Sequence, residues 1–279
     1  MNSGKDAHDL LRCHGMMPSS RVSLVIPAYN QLVHTMQCLE SILRLSDKGD
    51  EIIVVDNAST DGTPEYLKSV GVTVISNVTN LGCAKAWNQG IRASRGDILG
   101  ILSNDIVVTP GWLPALLRFM EQSGHGIVSP AMREGPLDYE LDRYAAEFTA
   151  ACREATRPGL LGPCMLVRRE VLDKIGLFDE SFSYWGCEDV DFLWRAQKVG
   201  ITAGVTGAAF IHHFGMVTQK AVKKSETSAY AMQNLAYFQR KWGRTVRGNW
   251  LQRRVDGLRG RWVERMEKIR YGHTLVECG

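Results

Sequence analysis

The chain has no run approaching the roughly 20 apolar residues that a membrane-spanning helix needs. Its apolar stretches, Val22–Ile26, Ile52–Val55 and Ile98–Leu102, are short and read as buried strands. Net charge is also scarce: 33 Lys and Arg against 30 Asp and Glu leave +3, so overall charge makes no case for nucleic-acid binding. Residues 1–20 carry Lys5, Asp6, His8, Asp9 and Arg12 and lack the apolar core of a secretory signal. They are expected to be a flexible start, and the protein is expected to be cytoplasmic. No two cysteines form a C-x-x-C pair; Cys13, Cys38, Cys83, Cys152, Cys164, Cys187 and Cys278 are scattered. That argues against a structural zinc site and for free thiols in a reducing compartment. Internal repeats and low-complexity tracts are missing too.

What remains is ordinary globular composition, 44% hydrophobic and 23% charged over 279 residues, enough for a full core without disulfides. The first hundred residues alternate short apolar runs with helical periodicity. Val22–Pro27 is followed by a helix over Leu32–Leu45, then Glu51–Asp56, a helix from Pro64, Val72–Ser76, a helix over Cys83–Ser94, and Ile98–Leu102. Strands alternating with helices predict right-handed βαβ units and a mostly parallel sheet. The uniformly apolar strands predict that helices cover both faces. After Leu102 the rhythm loosens. A helix is expected over Trp112–Met120 and strands over Ile127–Pro130 and Cys164–Val167. Helices follow over Arg169–Ile175 and Glu188–Val199, then strands over Ile201–Val205 and Ala208–His212. Residues 132–159 are polar and weakly periodic, and the chain from about Ala221 reads as mostly helical.

In an open α/β sheet, ligands bind at the carboxyl ends of the strands. Asn30, Asp56-Asn57, Asp61 and Ser103-Asn104-Asp105 fall at those ends. Asp56 and Asp61 also suit turns and helix caps. Two acidic strand ends in one sheet favour a shared pocket. Gly82 precedes the helix Cys83–Ser94 and permits close backbone approach, and a helix start can hold an anion. Lys85, Asn88 and Arg92 share one face of that helix, which reads either as part of the pocket or as a solvated face. Glu188-Asp189 begins another helix, where acids are favoured electrostatically in any case. Asp191 and Arg195 are spaced to pair along it.

The ordered motifs Val25-Ile26-Pro27-Ala28-Tyr29-Asn30, Val54-Val55-Asp56-Asn57-Ala58-Ser59-Thr60-Asp61-Gly62, Asn80-Leu81-Gly82 with Asn88-Gln89-Gly90, Leu102-Ser103-Asn104-Asp105, and Gly186-Cys187-Glu188-Asp189 with His212-His213 closely resemble family-2 inverting glycosyltransferases. The resemblance spans roughly residues 21 to 215, and its nearest flavour is the rhamnosyltransferase-like branch. It implies a GT-A fold, a Rossmann-like α/β sheet with helices on both faces. It also implies transfer of a hexosyl or deoxyhexosyl group from a UDP- or dTDP-linked donor to an acceptor hydroxyl. Polysaccharide, glycolipid or other glycoconjugate biosynthesis is the expected setting.

The resemblance assigns Pro27, Tyr29, Asn30, Asp56, Asn57, Gly82, Lys85, Asn88 and Asn104 to the nucleotide-sugar site. Asp105 would bind Mn²⁺ or Mg²⁺, although Ser103 replaces the first acid of the family's D-x-D motif. A strand presents only one of two successive residues to a given side, and the resemblance favours His212 as the second metal ligand. Asp189 is expected to be the general base, with Glu188 as runner-up. The implied division is a flexible start over 1–20, a transferase domain over 21–220 and a helical extension over 221–279. Within the domain, 21–105 would form the nucleotide half and 106–220 the acceptor half. A catalytically inactive binding module at a membrane or partner is the rival, and a sugar-nucleotide pyrophosphorylase is disfavoured because Pro27–Asn30 is not a glycine-rich, Arg-bearing loop.

Residues 240–270 hold an excess of Lys and Arg. Leu251, Val255, Leu258, Trp262, Met266 and Ile269 recur at helical spacing, a basic amphipathic pattern. It fits either a peripheral contact at the inner face of a membrane or packing on the domain.

Overall fold

The computed structural model describes residues 21–46, 49–215, 217, 224–243 and 250–278. The expected flexible start at 1–20 and the side chains of Trp250, Leu251 and Val255 lie outside the described residues. The alternating first half forms β1 (Val22–Ala28), α1 (Leu32–Leu45), β2 (Glu51–Asp56), α2 (Thr63–Ser69), β3 (Thr73–Ser76), α3 (Cys83–Ala93) and β4 (Ile98–Leu102). There follow β5 (Ile106–Val108), α4 (Trp112–Ser123), β6 (Ile127–Glu134), α5 (Leu141–Cys152), β7 (Thr156–Pro158), β8 (Cys164–Arg168), α6 (Arg169–Ile175), α7 (Glu188–Lys198) and β9 (Ala203–His213). The described chain ends with α8 (Lys224–Trp242), α9 (Trp250–Tyr271) and β10 (Val276–Cys278).

The main path of the sheet runs β3-β2-β1-β4-β8-β6-β9-β5. The strands β3, β2, β1 and β4 are parallel, as their apolar character requires. β8 runs antiparallel between β4 and β6, and β5 runs antiparallel to β9. Alternate residues of β1 enter opposite cores. Leu24 and Ile26 join Leu39 and Ile42 of α1 and Leu116 of α4, whereas Val25 joins Trp87 and Ile91 of α3 and Phe192 of α7. Gly90 lets α3 settle on the sheet, since a Cβ there would come 2.3 Å from Val25 Cγ1.

Three expectations change. The strands foreseen at Ile201–Val205 and Ala208–His212 are one strand, β9, whose register against β6 shifts between Pro130/Ala131, so that Thr206 and Phe210 face successive β6 residues. The weakly periodic 132–159 segment contains the end of β6, all of α5, and β7. Its helix was faint in sequence because only Ala145, Phe148 and Cys152 are buried. The C-terminal segment is not wholly helical: β10 pairs in parallel with β6, Val276 opposite Met132.

Candidate functional site

The carboxyl ends of β1, β2 and β4 open onto a cavity of about 270 Å³. Pro27 and Tyr29 follow from β1, Asn57 from β2, and Asn104 and Asp105 from the turn between β4 and β5; all line the cavity. Gly82 and Cys83 bring the start of α3, Tyr184 to Gly186 bring the loop before α7, and Glu188, Asp189 and His213 complete the described acid–imidazole wall. Three carboxylates thus line it, and among the described residues no Lys or Arg does.

Asn57 is held by an amide relay. Its Nδ2 donates to the Gly82 carbonyl, its Oδ1 accepts from Asn77 Nδ2, and Asn77 exchanges hydrogen bonds with Gln89. Asn77 was not singled out in the sequence; only the parallel pairing of β2 with β3 brings it beside Asn57. Asn104 lies at the cavity and donates to Thr35 Oγ1.

Four expected residues stand elsewhere. Asn30 adopts φ 53° and ties two loops together: its N–H donates to Ser59 Oγ and its Oδ1 accepts from Thr60 N–H. Asp56 is buried and accepts from Ser59 N–H, the turn-forming role. Lys85, Asn88 and Arg92 do share a face, but Glu180 is its counterpart. Asn88 donates to Glu180 and to the Phe178 carbonyl and accepts from Phe178 N–H, Arg92 pairs with Glu180, and the Lys85 charge helps hold Glu180 below the usual carboxyl range. Neither Lys85 nor Asn88 is in the cavity wall.

The histidine assignment is corrected. Alternation along β9 turns His212 toward Phe210's side of the sheet, where its Nδ1 meets Tyr139 OH at 2.9 Å. Burial, with the charges of His213 and Arg133, pulls His212 down to about 4, so it is neutral at physiological pH. His213 points the other way, its Nε2 3.4 Å from Asp105 Oδ1 and its Nδ1 3.1 Å from Glu134 Oε2. Burial alone would lower the His213 pKa, but hydrogen bonds and charges from Asp105 and Glu134 outweigh it and raise it. Reciprocally, burial would raise Asp105, and the His213 contact overrides it and lowers it. Glu134 was not foreseen, because β6 was expected to end at Pro130; the pairing of Glu134 with His213 places it here.

This set fits a divalent cation. With Nδ1–H donating to Glu134, the Nε2 lone pair faces the Asp105 carboxylate, two acceptors that need a proton or a cation between them. A carboxylate orienting a ligating imidazole through its other nitrogen is a common metal-site arrangement. Among the described residues no group of three or more His, Cys, Asp and Glu side chains is arranged to hold a metal. Asp105 and His213 would therefore hold it together with water or substrate oxygens, as Mg²⁺ and Mn²⁺ are commonly held beside phosphates.

In the same lining, α7 begins after Cys187, which adopts φ 74°. Glu188 is buried and its Oε2 has no hydrogen-bond partner among the described residues. Burial, then the neighbouring Asp189 charge, raises it far above the ordinary carboxyl range. Asp189 is raised by burial; its Oδ1 accepts from Val190 N–H, and a Cβ at Gly162 would sit 2.6 Å from its Oδ2. Asp191, in the same first turn, is fully buried and meets Arg195 Nε at 2.8 Å, Lys241 Nζ at 2.7 Å and Trp242 Nε1 at 2.9 Å. The expected i,i+4 pair is present with two further donors from α8.

The glycosyl transferase family 2 model matches residues 23–176. The chain belongs to glycosyl transferase family 2. It is 30% identical over 183 residues to an uncharacterised glycosyltransferase of Haemophilus influenzae, covering 62% of this chain and 61% of that one. It is 29% identical over 205 residues to the uncharacterised glycosyltransferase YwdF of Bacillus subtilis, covering 70% and 74%. The longer y4gI protein of Sinorhizobium fredii is 23% identical over 249 residues, and the match takes up only 27% of it. In fold the chain is similar to the mannosyltransferase PcManGT of Pyrobaculum calidifontis, solved with GDP-Man and Mn²⁺, at TM-score 0.55 and 21% identity over 77% of this chain and 61% of that one. GalNAc-T7, solved with UDP, GalNAc and Mn²⁺, gives TM-score 0.56 and 16% identity over 70% and 44%. The fold is of GT-A type.

The buried Glu188 carboxyl yields a stability prediction. A carboxyl raised in the folded state binds its proton more tightly there, so stability falls as pH climbs from the ordinary carboxyl value toward the raised one. Glu188→Gln removes this penalty. Its melting temperature should exceed wild type at pH 8 by about 2–4 °C for each kcal/mol relieved, and the gain should vanish near pH 4. Thermal unfolding across that range measures it.

Proposed function

We propose that this chain transfers a sugar from a nucleotide-diphosphate donor to an acceptor hydroxyl with inversion. The observation that carries the reading is that Asp105 and His213 line the same cavity at the strand ends as Glu188 and Asp189. Pro27, Tyr29 and Asn57 border the space for the nucleotide, and Asn104 shapes its floor. A UDP- or dTDP-linked hexose or deoxyhexose is the donor class, and a glycan or lipid-linked hydroxyl the acceptor. The Mn²⁺ complexes of the two fold neighbours agree with a divalent metal here. When bound, Mn²⁺ or Mg²⁺ offsets charge on the departing diphosphate. Asp105 and His213 would hold it, and Glu134 would keep the His213 ring oriented.

Asp189 takes the acceptor proton. It needs a pKa nearer neutrality than a free carboxyl, and burial supplies that shift. Gly162 leaves room at its Oδ2 for an incoming hydroxyl. Glu188 beside it discourages premature ionisation of the pair and is the alternative base.

Donor hydrolysis, followed as nucleotide release from a panel of UDP-, dTDP- and GDP-sugars, tests this reading. Asp189→Asn should cut the rate by about 10²–10⁴ with donor affinity retained. A near-wild-type rate would refute the base assignment, and a collapse confined to Glu188→Gln would move it one residue back.

The metal assignment has its own experiment. Asp105→Ala and His213→Ala should each abolish Mn²⁺-dependent release, whereas His212→Ala should act mainly on stability through Tyr139. Full activity in excess chelator would overturn the metal-dependent reading.

The surface of α9 favours a membrane contact as part of the same function. Glu267 seats the helix on the domain by accepting from Arg157 at 2.6 Å and from Leu275 N–H at 3.0 Å. Leu258, Trp262, Met266 and Ile269 are 56%, 63%, 42% and 68% exposed, so the apolar stripe turns outward instead of packing on the domain. Arg259, Arg261, Arg265, Lys268 and Arg270 accompany it, which complements an anionic lipid surface. Among the described residues no helix is long and apolar enough to cross a membrane. Vesicles with an anionic phosphatidylglycerol fraction should pellet the full chain, neutral phosphatidylcholine vesicles should not, and salt should weaken the binding. Neutralising Arg259, Arg261 and Arg265 together should lower it at least tenfold, at about 1 kcal/mol per basic residue. Equal binding to both vesicle types, or a dimer formed through this face, would overturn the lipid assignment.

A further inference from the structure

The segment from Ser183 to Cys187 supplies three wall residues of the cavity, Tyr184, Trp185 and Gly186, and leads directly into Glu188-Asp189. Its backbone is unusual. Tyr184, Gly186 and Cys187 have φ of 53°, 101° and 74°, and two of the three are not glycine. Such a backbone persists only when its surroundings hold it.

One hold comes from α3. Cys83 N–H donates to the Tyr184 carbonyl, and Gly82 allows the approach, because a Cβ there would lie 2.6 Å from Tyr184 Cα. The other comes from α8, which lies beyond the matched family region. Asn234 is 1% exposed. Its Oδ1 accepts from Ser183 N–H at 2.8 Å, and its Nδ2 donates to the Ser183 carbonyl at 2.8 Å and the Trp185 carbonyl at 2.9 Å. A carboxamide has two N–H donors and one acceptor oxygen, and here each of its two kinds of group is spent on this loop. The Tyr184 ring rests 4.1 Å, centroid to centroid, from that of Tyr230 one turn earlier in α8. Further along α8, Lys241 bridges Asp179 before the loop and Asp191 after it, at 2.7 Å to each. The helix thus splints the loop on both flanks.

We propose that Asn234 is a positioning residue, which fixes the Tyr184–Trp185 wall and the start of α7 so that Asp189 meets the reacting hydroxyl. This rests on the transferase reading. Asn234 touches neither the cavity nor the proposed base; it acts through backbone groups of the loop. Its removal should therefore alter the chemical step more than donor binding, since small displacements of reacting groups are costly in rate.

Two readouts on the full chain test this separately. The first is amide hydrogen exchange of residues 183–187. Asn234→Ala should speed it by about tenfold or more, in line with loss of several buried hydrogen bonds, while exchange in β1 and β4 stays unchanged. The second is nucleotide release from the best donor of the panel above, at saturating metal. The rate at saturating donor should fall by about 10- to 100-fold, with donor KM within twofold of wild type. Asn234→Gln keeps both donors and the acceptor on an arm one methylene longer, so it should fall between wild type and Asn234→Ala. If Asn234→Ala does not fold, Asn234→Gln carries both measurements. Met232→Ala, exposed on the same helix, should change neither. Unchanged loop exchange would overturn the tether, and faster exchange with an unchanged rate would overturn the positioning role. A uniform loss of rate and donor binding would reduce Asn234 to general stability and overturn it as well. Wild-type protein that releases nucleotide from no donor would count against the transferase reading, while loop exchange would still decide whether Asn234 holds the loop.

Discussion

A diphosphate entering this cavity meets Asp105, Glu188 and Asp189 and, among the described residues, no basic side chain. The rest of the site follows from that electrostatic constraint. Like charges a few ångströms apart in a sheltered site repel strongly, so an anionic donor needs a cation beside it. In the proposed reaction the Asp105–His213 corner would hold the cation, with Glu134 behind His213 orienting the ring. Elsewhere in the cavity burial, and for Glu188 also the neighbouring Asp189 charge, holds Glu188 and Asp189 above their ordinary pKa values. One field therefore serves both ends of the proposed reaction, attracting a metal at one and a proton at the other.

Strand register turns that constraint into geometry. His213 lies opposite Ile106 on β5 and Glu134 on β6, which brings three chain segments to one corner. A slip of one residue in β9 would present His212 to Asp105 and bury His213 against Phe210's neighbours, because successive strand residues face opposite sides. The register is secured by Phe210 and Ile211, which enter separate cores, and by Thr109 Oγ1 donating to the Phe210 carbonyl. The site thus inherits its accuracy from core packing some residues away.

The parallel half of the sheet was legible in the sequence because its strands are unbroken apolar runs separated by helices with a clear buried face. Asn57 and Asn104 lie at strand ends of that layout, the family resemblance added Pro27 and Tyr29, and all four line one cavity. What escaped depended on pairing across long sequence separations. The choice of His213 over His212 needs the β9 register. Glu134 needs β6 to continue past Pro130. Asn77 becomes a support for Asn57 only through the β2–β3 pairing. Lys85 and Asn88 were grouped correctly on one helix face, yet sequence spacing does not say what that face meets, and here it meets Glu180. Asn30 and Asp56 have the same local signature whether they bind a ligand or build a turn, and their hydrogen bonds go to the turn.

The C-terminal segment reads differently once its contacts are traced. Its helical periodicity suggested an extension to the domain, but three of its elements reach inward. β10 adds a strand beside β6, where Cys278 pairs with Glu134, the residue that orients His213. Glu267 of α9 closes on Arg157 and the Leu275 amide, which fixes the entry into β10. Lys241 and Trp242 of α8 neutralise and hydrogen-bond the buried Asp191, two residues beyond Asp189. A buried carboxylate without such partners is strongly disfavoured, so α7 holds its place by virtue of α8. The imidazole and the acid pair of the cavity lining are therefore both braced by residues that follow 223. A truncation chosen from the family match alone, ending near residue 176, would remove α7 and His213 outright. One ending near residue 220 would keep every proposed catalytic group and lose what sets them in place.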